Sequence, residues 1–186
     1  MILALAVICA IIWMGLIFCH GRFWQAGPIL QPASMADAPA GATPGVTVIV
    51  PARDEAESIE VALGSLLQQD YTGPLSIILV NDRSTDGTGT LARALPDPHD
   101  RLSVLDGTPP EAGWSGKLWA VAQGVHEAER QSPYGNGYLL LTDADIIHAP
   151  AHISTLVAKA QADPLHMVSE MVELQFETLA ERALVP

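Results

Sequence analysis

Val46-Thr-Val-Ile-Val-Pro-Ala-Arg-Asp-Glu55 begins as an unbroken β-branched run, stops at Pro51 and turns polar and acidic. The same grammar returns at Ile77-Ile-Leu-Val-Asn-Asp-Arg-Ser-Thr-Asp-Gly87 and at Tyr138-Leu-Leu-Leu-Thr-Asp-Ala-Asp145. Short continuous apolar runs bounded by turn residues read as strands buried on both faces. This predicts strands at Val46–Val50, Ile77–Val80 and Tyr138–Leu141, with a further one at Leu102–Leu105. Between them the spacing turns helical. Ile59, Ala62, Leu63, Leu66 and Leu67 share one face of a helix predicted over Glu55–Gln69. Thr85–Leu95 and Gly116–Arg130 read as two more helices, and another follows Pro150. Strands alternating with helices predict an α/β fold, a mostly parallel sheet with helices on both faces.

In such sheets ligands bind beyond the carboxyl ends of the strands, so the residues after each strand carry the functional reading. Three of the four strands open into acidic polar loops: Pro51–Glu55, Asn81–Gly87 and Thr142–Asp145. Asp54, Ser84 and Asp86 are also what helix capping requires, since their side chains can accept from free N–H groups. Asp143 and Asp145 fit capping less well. Two carboxylates one residue apart repel each other, and a hard divalent cation, Mg2+ or Mn2+, offsets that repulsion and bridges to phosphate.

Gly113-Trp-Ser-Gly-Lys117 leads into the Gly116–Arg130 helix, and its glycines let backbone approach a ligand. Lys117 is one of two lysines in the chain and stands at a helix start, where the dipole mildly disfavours a cation. That conflict favours a ligand role over a solvated side chain. The spacing is not that of a phosphate-binding Gly-x4-Gly-Lys-Ser/Thr loop, and no Gly-x-Gly-x-x-Gly follows the first strand.

The 186 residues carry a formal net charge of −12. Nucleic acid is excluded as a partner, because a phosphate backbone needs clustered Lys and Arg. An acidic protein that binds a diphosphate needs a cation or a few placed basic groups. The two cysteines, Cys9 and Cys19, lie in the N-terminal apolar run, which leaves neither a disulfide framework nor a Cys-ligated metal site.

Met1–Cys19 has no charged residue and is followed by Arg22, Phe23 and Trp24. The run predicts a transmembrane anchor over 1–20, with the rest of the chain facing the cytoplasm from the inner membrane. A signal peptide cleaved near Ala36, Ala38 and Ala40 is the rival, but it needs a basic start and a shorter apolar core. Residues 21–45, rich in Pro, Ala and Gly, read as a linker, and 46–186 as the folded domain.

Four segments in order resemble the family-2 glycosyltransferases: Val48-Ile-Val-Pro-Ala-Arg-Asp-Glu55, Val80-Asn-Asp-Arg-Ser-Thr-Asp-Gly-Thr88, Gly116-Lys-Leu-Trp-Ala-Val-Ala-Gln-Gly124 and Leu141-Thr-Asp-Ala-Asp145. The N-terminal run and Gly113–Ala120 are most similar to the bacterial glycosyltransferases associated with hopanoid biosynthesis. The resemblance implies a GT-A fold, a UDP- or other NDP-sugar donor, inversion at the anomeric carbon, and a lipid or membrane-associated acceptor. Carried over by motif, it implies that Pro51, Ala52, Arg53 and Glu55 line the nucleoside pocket and that Asp82 contacts base or ribose. It places Lys117 near the donor, Asp143 at ribose or donor sugar, and Asp145 on the metal. The later acidic motif that holds the family's base is not recognisable, so the domain reads as C-terminally incomplete. Glu170 and Glu173 are candidate acids, although Val168–Phe176 reads more simply as a fifth strand with polar alternate positions. Two further readings stay open. One is a non-catalytic, membrane-tethered nucleotide-binding module. The other is a nucleotidyltransferase, which would want a glycine-rich loop after the first strand.

Overall fold

The computed structural model describes residues 2–19, 30–32, 43–131 and 137–172. Contacts divide the chain into two compact units. One is Pro32–Glu170 and the other comprises Met1–Gln31 with Met171–Pro186.

In the larger unit, strands β1 (Gly45–Ala52), β2 (Leu75–Asn81), β3 (Leu102–Asp106) and β4 (Gly137–Leu141) form one parallel sheet in the order β3-β2-β1-β4. Helices α2 (Ile59–Leu67), α3 (Thr88–Ala94), α4 (Gly116–Gln131) and α5 (His152–Ala162) separate and follow the strands. The period-2 rule sorts the core into two layers. Val46, Val48, Val50, Ile77 and Leu79 pack with Ile59, Leu63 and Leu66 of α2, Ala92 of α3, and Ile153 and Val157 of α5. Ile49, Ile78 and Val80 face the other way, onto Ala120 and Ala128 of α4. Gly124 is the closest approach on that side. A Cβ there would come within 2.5 Å of Ile49 Cγ2 and 3.0 Å of Val80 Cγ2.

The continuous apolar runs of β1 and β2 are indeed covered on both faces, but β4 is not. It alternates in burial, and Leu139 and Leu141 are exposed. It pairs only with β1 among the described strands, so its outer side lacks a neighbour there. The fifth strand expected over Val168–Phe176 does not form in its described part, 168–172, and the remainder lies outside the described residues. Among the described residues no ladder partner is presented to this stretch, and apolar content alone cannot make a strand.

The strand order fixes where a ligand can sit. The chain runs outward from β1 to β2 to β3, then α4 carries it back across to β4 on the other side of β1. The crevice at such a reversal lies at the carboxyl ends of β1 and β4.

In the other unit, α1 (Ile2–Cys19) is apolar along its whole length. At about 1.5 Å per residue its 18 residues extend roughly 27 Å, short of the ~30 Å hydrocarbon core. No helix among the described residues is long and apolar enough to cross a membrane. This corrects the expected single N-terminal span and the inner-membrane location built on it. Arg22, Phe23 and Trp24, and most of the expected linker, lie outside the described residues.

Candidate functional site

The crevice is present at the reversal point. It encloses about 320 Å3 and is lined by Pro51, Ala52, Arg53, Glu55, Asp82, Gly116, Lys117, Ala120, Asp143, Ala144 and Asp145. Loops after β1, β2 and β4 meet there with the first turn of α4. Every residue singled out above as donor-binding or metal-binding is in this set.

The β1 and β2 loops are riveted to each other. The Asp54 N–H donates to Ser84 Oγ at 3.0 Å, and Asp54 Oδ1 accepts from the Thr85 N–H at 2.7 Å. The Glu55 N–H donates to Thr88 Oγ1 and the Ala56 N–H to Asp86 Oδ2, at 2.9 and 2.8 Å. Asp86 Oδ1 also accepts from the Thr88 hydroxyl and N–H, which holds its carboxyl below the usual carboxylate range. Asp54 and Arg83 occupy the left-handed region, with φ of 55° and 56°. Asp54, Ser84 and Asp86 therefore do satisfy backbone donors, all three across the two loops, and Asp86 also at the start of its own helix. Helix α3 begins at Thr88 after Gly87, and its first N–H is met by Asp86 Oδ1.

Asp82 is buried between two arginines. Its Oδ1 accepts from Arg83 Nε at 3.1 Å, and its Oδ2 lies 3.7 Å from Arg53 Nη1. Gly116 packs against it closely enough that a Cβ would come within 3.3 Å of Oδ2. Across the crevice Lys117 Nζ lies 2.7 Å from Asp143 Oδ1. Asp145 is exposed, and among the described residues no partner falls to its carboxylate.

No group of three or more His, Cys, Asp or Glu that could hold a metal ion occurs among the described residues. The donors at hand are hard carboxylate oxygens, one of them engaged by a lysine. That set suits Mg2+ or Mn2+ when substrate phosphates and water complete the coordination, a common arrangement for these ions.

Glu170 is not among the residues lining the crevice. Its Oε1 pairs with His152 Nε2. Glu173 lies outside the described residues. A second, smaller cavity of about 130 Å3 between Val46, Tyr138 and α5 is apolar and holds no carboxylate pair.

Comparison with known proteins places the chain in a family. Residues 47–180 match the family described as Glycosyl transferase family 2, well over half of the chain. The chain belongs to glycosyl transferase family 2. A 4,4'-diaponeurosporenoate glycosyltransferase of Staphylococcus aureus (strain USA300) is 39% identical over 83 residues, 45% of this chain and 20% of that protein. A mannosyltransferase from Pyrobaculum calidifontis, solved in complex with GDP-Man and Mn2+, is 27% identical. It superposes with a TM-score of 0.55 over 84% of this chain and 43% of that one. The family-2 chain thus has a GT-A-like α/β fold and spans a fraction of the length of the relatives it matches.

Sequence reasoning missed Thr142 and His148, which join the acidic loop to α5. The Thr142 hydroxyl lies 3.1 Å from His148 Nε2, and His148 Nδ1 lies 2.9 Å from His152 Nδ1. A histidine three residues beyond the second carboxylate was a visible signal, but nothing in the sequence assigned it a partner.

Proposed function

We propose that the crevice binds the diphosphate and nucleoside of an NDP-sugar, and that this family-2 chain is the donor half of an inverting glycosyltransferase. The observation that supports the reading is that Pro51, Ala52, Arg53, Glu55, Asp82, Lys117, Asp143 and Asp145 line one crevice at the strand ends. Arg53 and Lys117 supply positive charge on opposite walls of an otherwise acidic site. Lys117 screens Asp143, so that of this carboxylate pair only Asp145 meets an incoming diphosphate without a partner among the described residues. Asp145, with Asp143 beside it, would hold Mg2+ or Mn2+, which when bound stabilises charge on a departing diphosphate.

The sugar passes to a lipid-linked or other acceptor. The finer reading, a lipid-linked acceptor in hopanoid biosynthesis, draws its support from the Gly113–Ala120 segment. A second reading is a nucleotide-binding module that does not itself catalyse. It is favoured by Glu170, the one candidate acid among the described residues, being paired with His152 away from the crevice lining.

Calorimetric titration with UDP and with GDP, each in the presence of Mn2+, tests the donor reading. Binding of at least one nucleotide, lost when Mn2+ is withheld and in Asp145→Ala, is the expected result. Absence of binding to both, or an unchanged Asp145→Ala isotherm, overturns it.

A further inference from the structure

We infer that Thr142, His148, His152 and Glu170 form a hydrogen-bond relay running in one direction, and that His148 is the positioning residue that fixes the Asp143–Asp145 loop. The chain of contacts is continuous. Thr142 Oγ1 meets His148 Nε2 at 3.1 Å, His148 Nδ1 meets His152 Nδ1 at 2.9 Å, and His152 Nε2 meets Glu170 Oε1. The direction follows from donor and acceptor chemistry. An ionised carboxylate can only accept, so His152 donates from Nε2, and in the neutral ring that leaves Nδ1 bare. His148 must then donate from Nδ1, which leaves its own Nε2 bare. That nitrogen accepts from the Thr142 hydroxyl, and the whole chain ends on the residue that precedes Asp143.

Thr142 and His148 are both anchored through their backbones. The Thr142 N–H donates to the Ile49 carbonyl of β1 at 3.2 Å, so Thr142 is held through its backbone and its hydroxyl. The His148 N–H donates to Ser65 Oγ of α2 at 2.9 Å. The turn that follows is tied to the same helix end, with Gln69 Nε2 donating to the Ala149 carbonyl and Ser154 Oγ to Asp70 Oδ1. His148 is buried, while Asp143 and Asp145 on the same loop are exposed to the crevice. Burial holds His148 in the neutral form the relay needs. A loop bearing two neighbouring carboxylates has reason to spread under their repulsion. The relay holds it through residues that do not line the crevice.

The inference rests on the donor reading for its second arm only, and two measurements separate the two. Long-range 15N–1H NMR of the full chain reads the ring nitrogens directly. His148 protonated at Nδ1 and His152 at Nε2 is expected, and any other pair of tautomers overturns the relay whether or not a nucleotide binds. In the second arm, affinity for UDP or GDP with Mn2+ is compared among wild type, Thr142→Val, Thr142→Ser and His148→Gln. Loss of an outer partner of this kind costs about 10- to 100-fold in affinity at metal sites. Thr142→Val is expected to lose affinity on that scale. Thr142→Ser, which keeps the hydroxyl, and His148→Gln, which keeps an acceptor near Nε2, are expected to recover most of it. Equal affinity in wild type and Thr142→Val overturns the positioning role. If wild type binds neither nucleotide, the donor reading fails, and the tautomers alone decide the relay.

Discussion

Lys117 extends its ammonium to within 2.7 Å of Asp143 Oδ1, yet both side chains are more than half exposed, at 64% and 52%. An ion pair that open contributes roughly 0–1 kcal/mol to stability. Its place in the first turn of α4 costs a little more, because the helix dipole there repels a cation. Folding alone does not explain this lysine. Lys117→Ala should therefore leave the urea midpoint almost unchanged, within about 1 kcal/mol, while weakening Mn2+-dependent nucleotide binding by roughly tenfold, the loss of one charge-assisted contact to phosphate. A variant that unfolds much earlier but binds as tightly as wild type would show that the pair is structural.

Asp54 should behave the opposite way. Its carboxylate accepts from Thr85 and its N–H donates to Ser84, closing the β1 loop onto the β2 loop at a φ of 55°. Asp54→Ala removes the acceptor and leaves a residue poorly suited to that conformation, for a loss of about 1–2 kcal/mol. Asp54→Asn keeps an acceptor oxygen and tolerates the left-handed region, so it should recover most of the loss. Chemical denaturation of the three proteins gives the answer, and equal midpoints for Ala and Asn would remove the hydrogen bond from the account.

The same rivets explain which boundaries were legible in the sequence. All four strands and the helix from Gly116 stand within two residues of where apolar runs and glycines put them. Helices α2 and α3 start later than predicted, at Ile59 and Thr88 instead of Glu55 and Thr85. Local propensity continues through Glu55–Ser58 and Thr85–Gly87, but the N–H groups of Glu55, Ala56 and Thr85 and the Asp86 carboxylate are drawn into bonds between the loops. Partners about thirty residues apart leave no periodic trace. The crevice residues were legible for a different reason. In a parallel sheet all strand ends open on one edge, so polar residues just after apolar runs converge. The pairing of Lys117 with Asp143, and of His152 with Glu170, depends on where α4 and α5 settle, and no spacing rule carries that.

Gly124 links that settling to the site. Helix α4 lies so close over Ile49 and Val80 that a methyl group would overlap both. Gly124→Ala gains about 1 kcal/mol in helix propensity but overpacks a full core, which typically costs about 1–3 kcal/mol. A net loss is expected, and relief can come only by moving the helix that carries Lys117. Nucleotide affinity should therefore drop along with the denaturation midpoint. A stabilised variant would mean that the helix and sheet accommodate the methyl without strain.

His148 makes stability depend on pH in a window of its own. Burial first, and the neighbouring His152 second, push it from its ordinary 6.5 down to about 4. Between those values the unfolded chain binds a proton that the native protein does not, so stability is fully present above about pH 6.5 and is lost as the pH falls toward 4. At 1.36 kcal/mol per pKa unit the loss is on the order of 3 kcal/mol. Among the described residues, the side chains bonded to this imidazole are His152, with Glu170 behind it, and Thr142. Only the first two titrate, and they are present in both proteins of the comparison. Urea midpoints from pH 7 to pH 4 should fall more steeply for wild type than for His148→Gln, which has nothing to protonate at that position. Thr142→Ser should follow the wild-type slope, since it leaves the imidazole buried and its hydroxyl partner in place. Parallel curves for wild type and His148→Gln would mean that His148 accepts a proton in the native state as readily as in the unfolded chain. The neutral ring would then not be enforced by the fold, and the relay behind the acidic loop would lose its support.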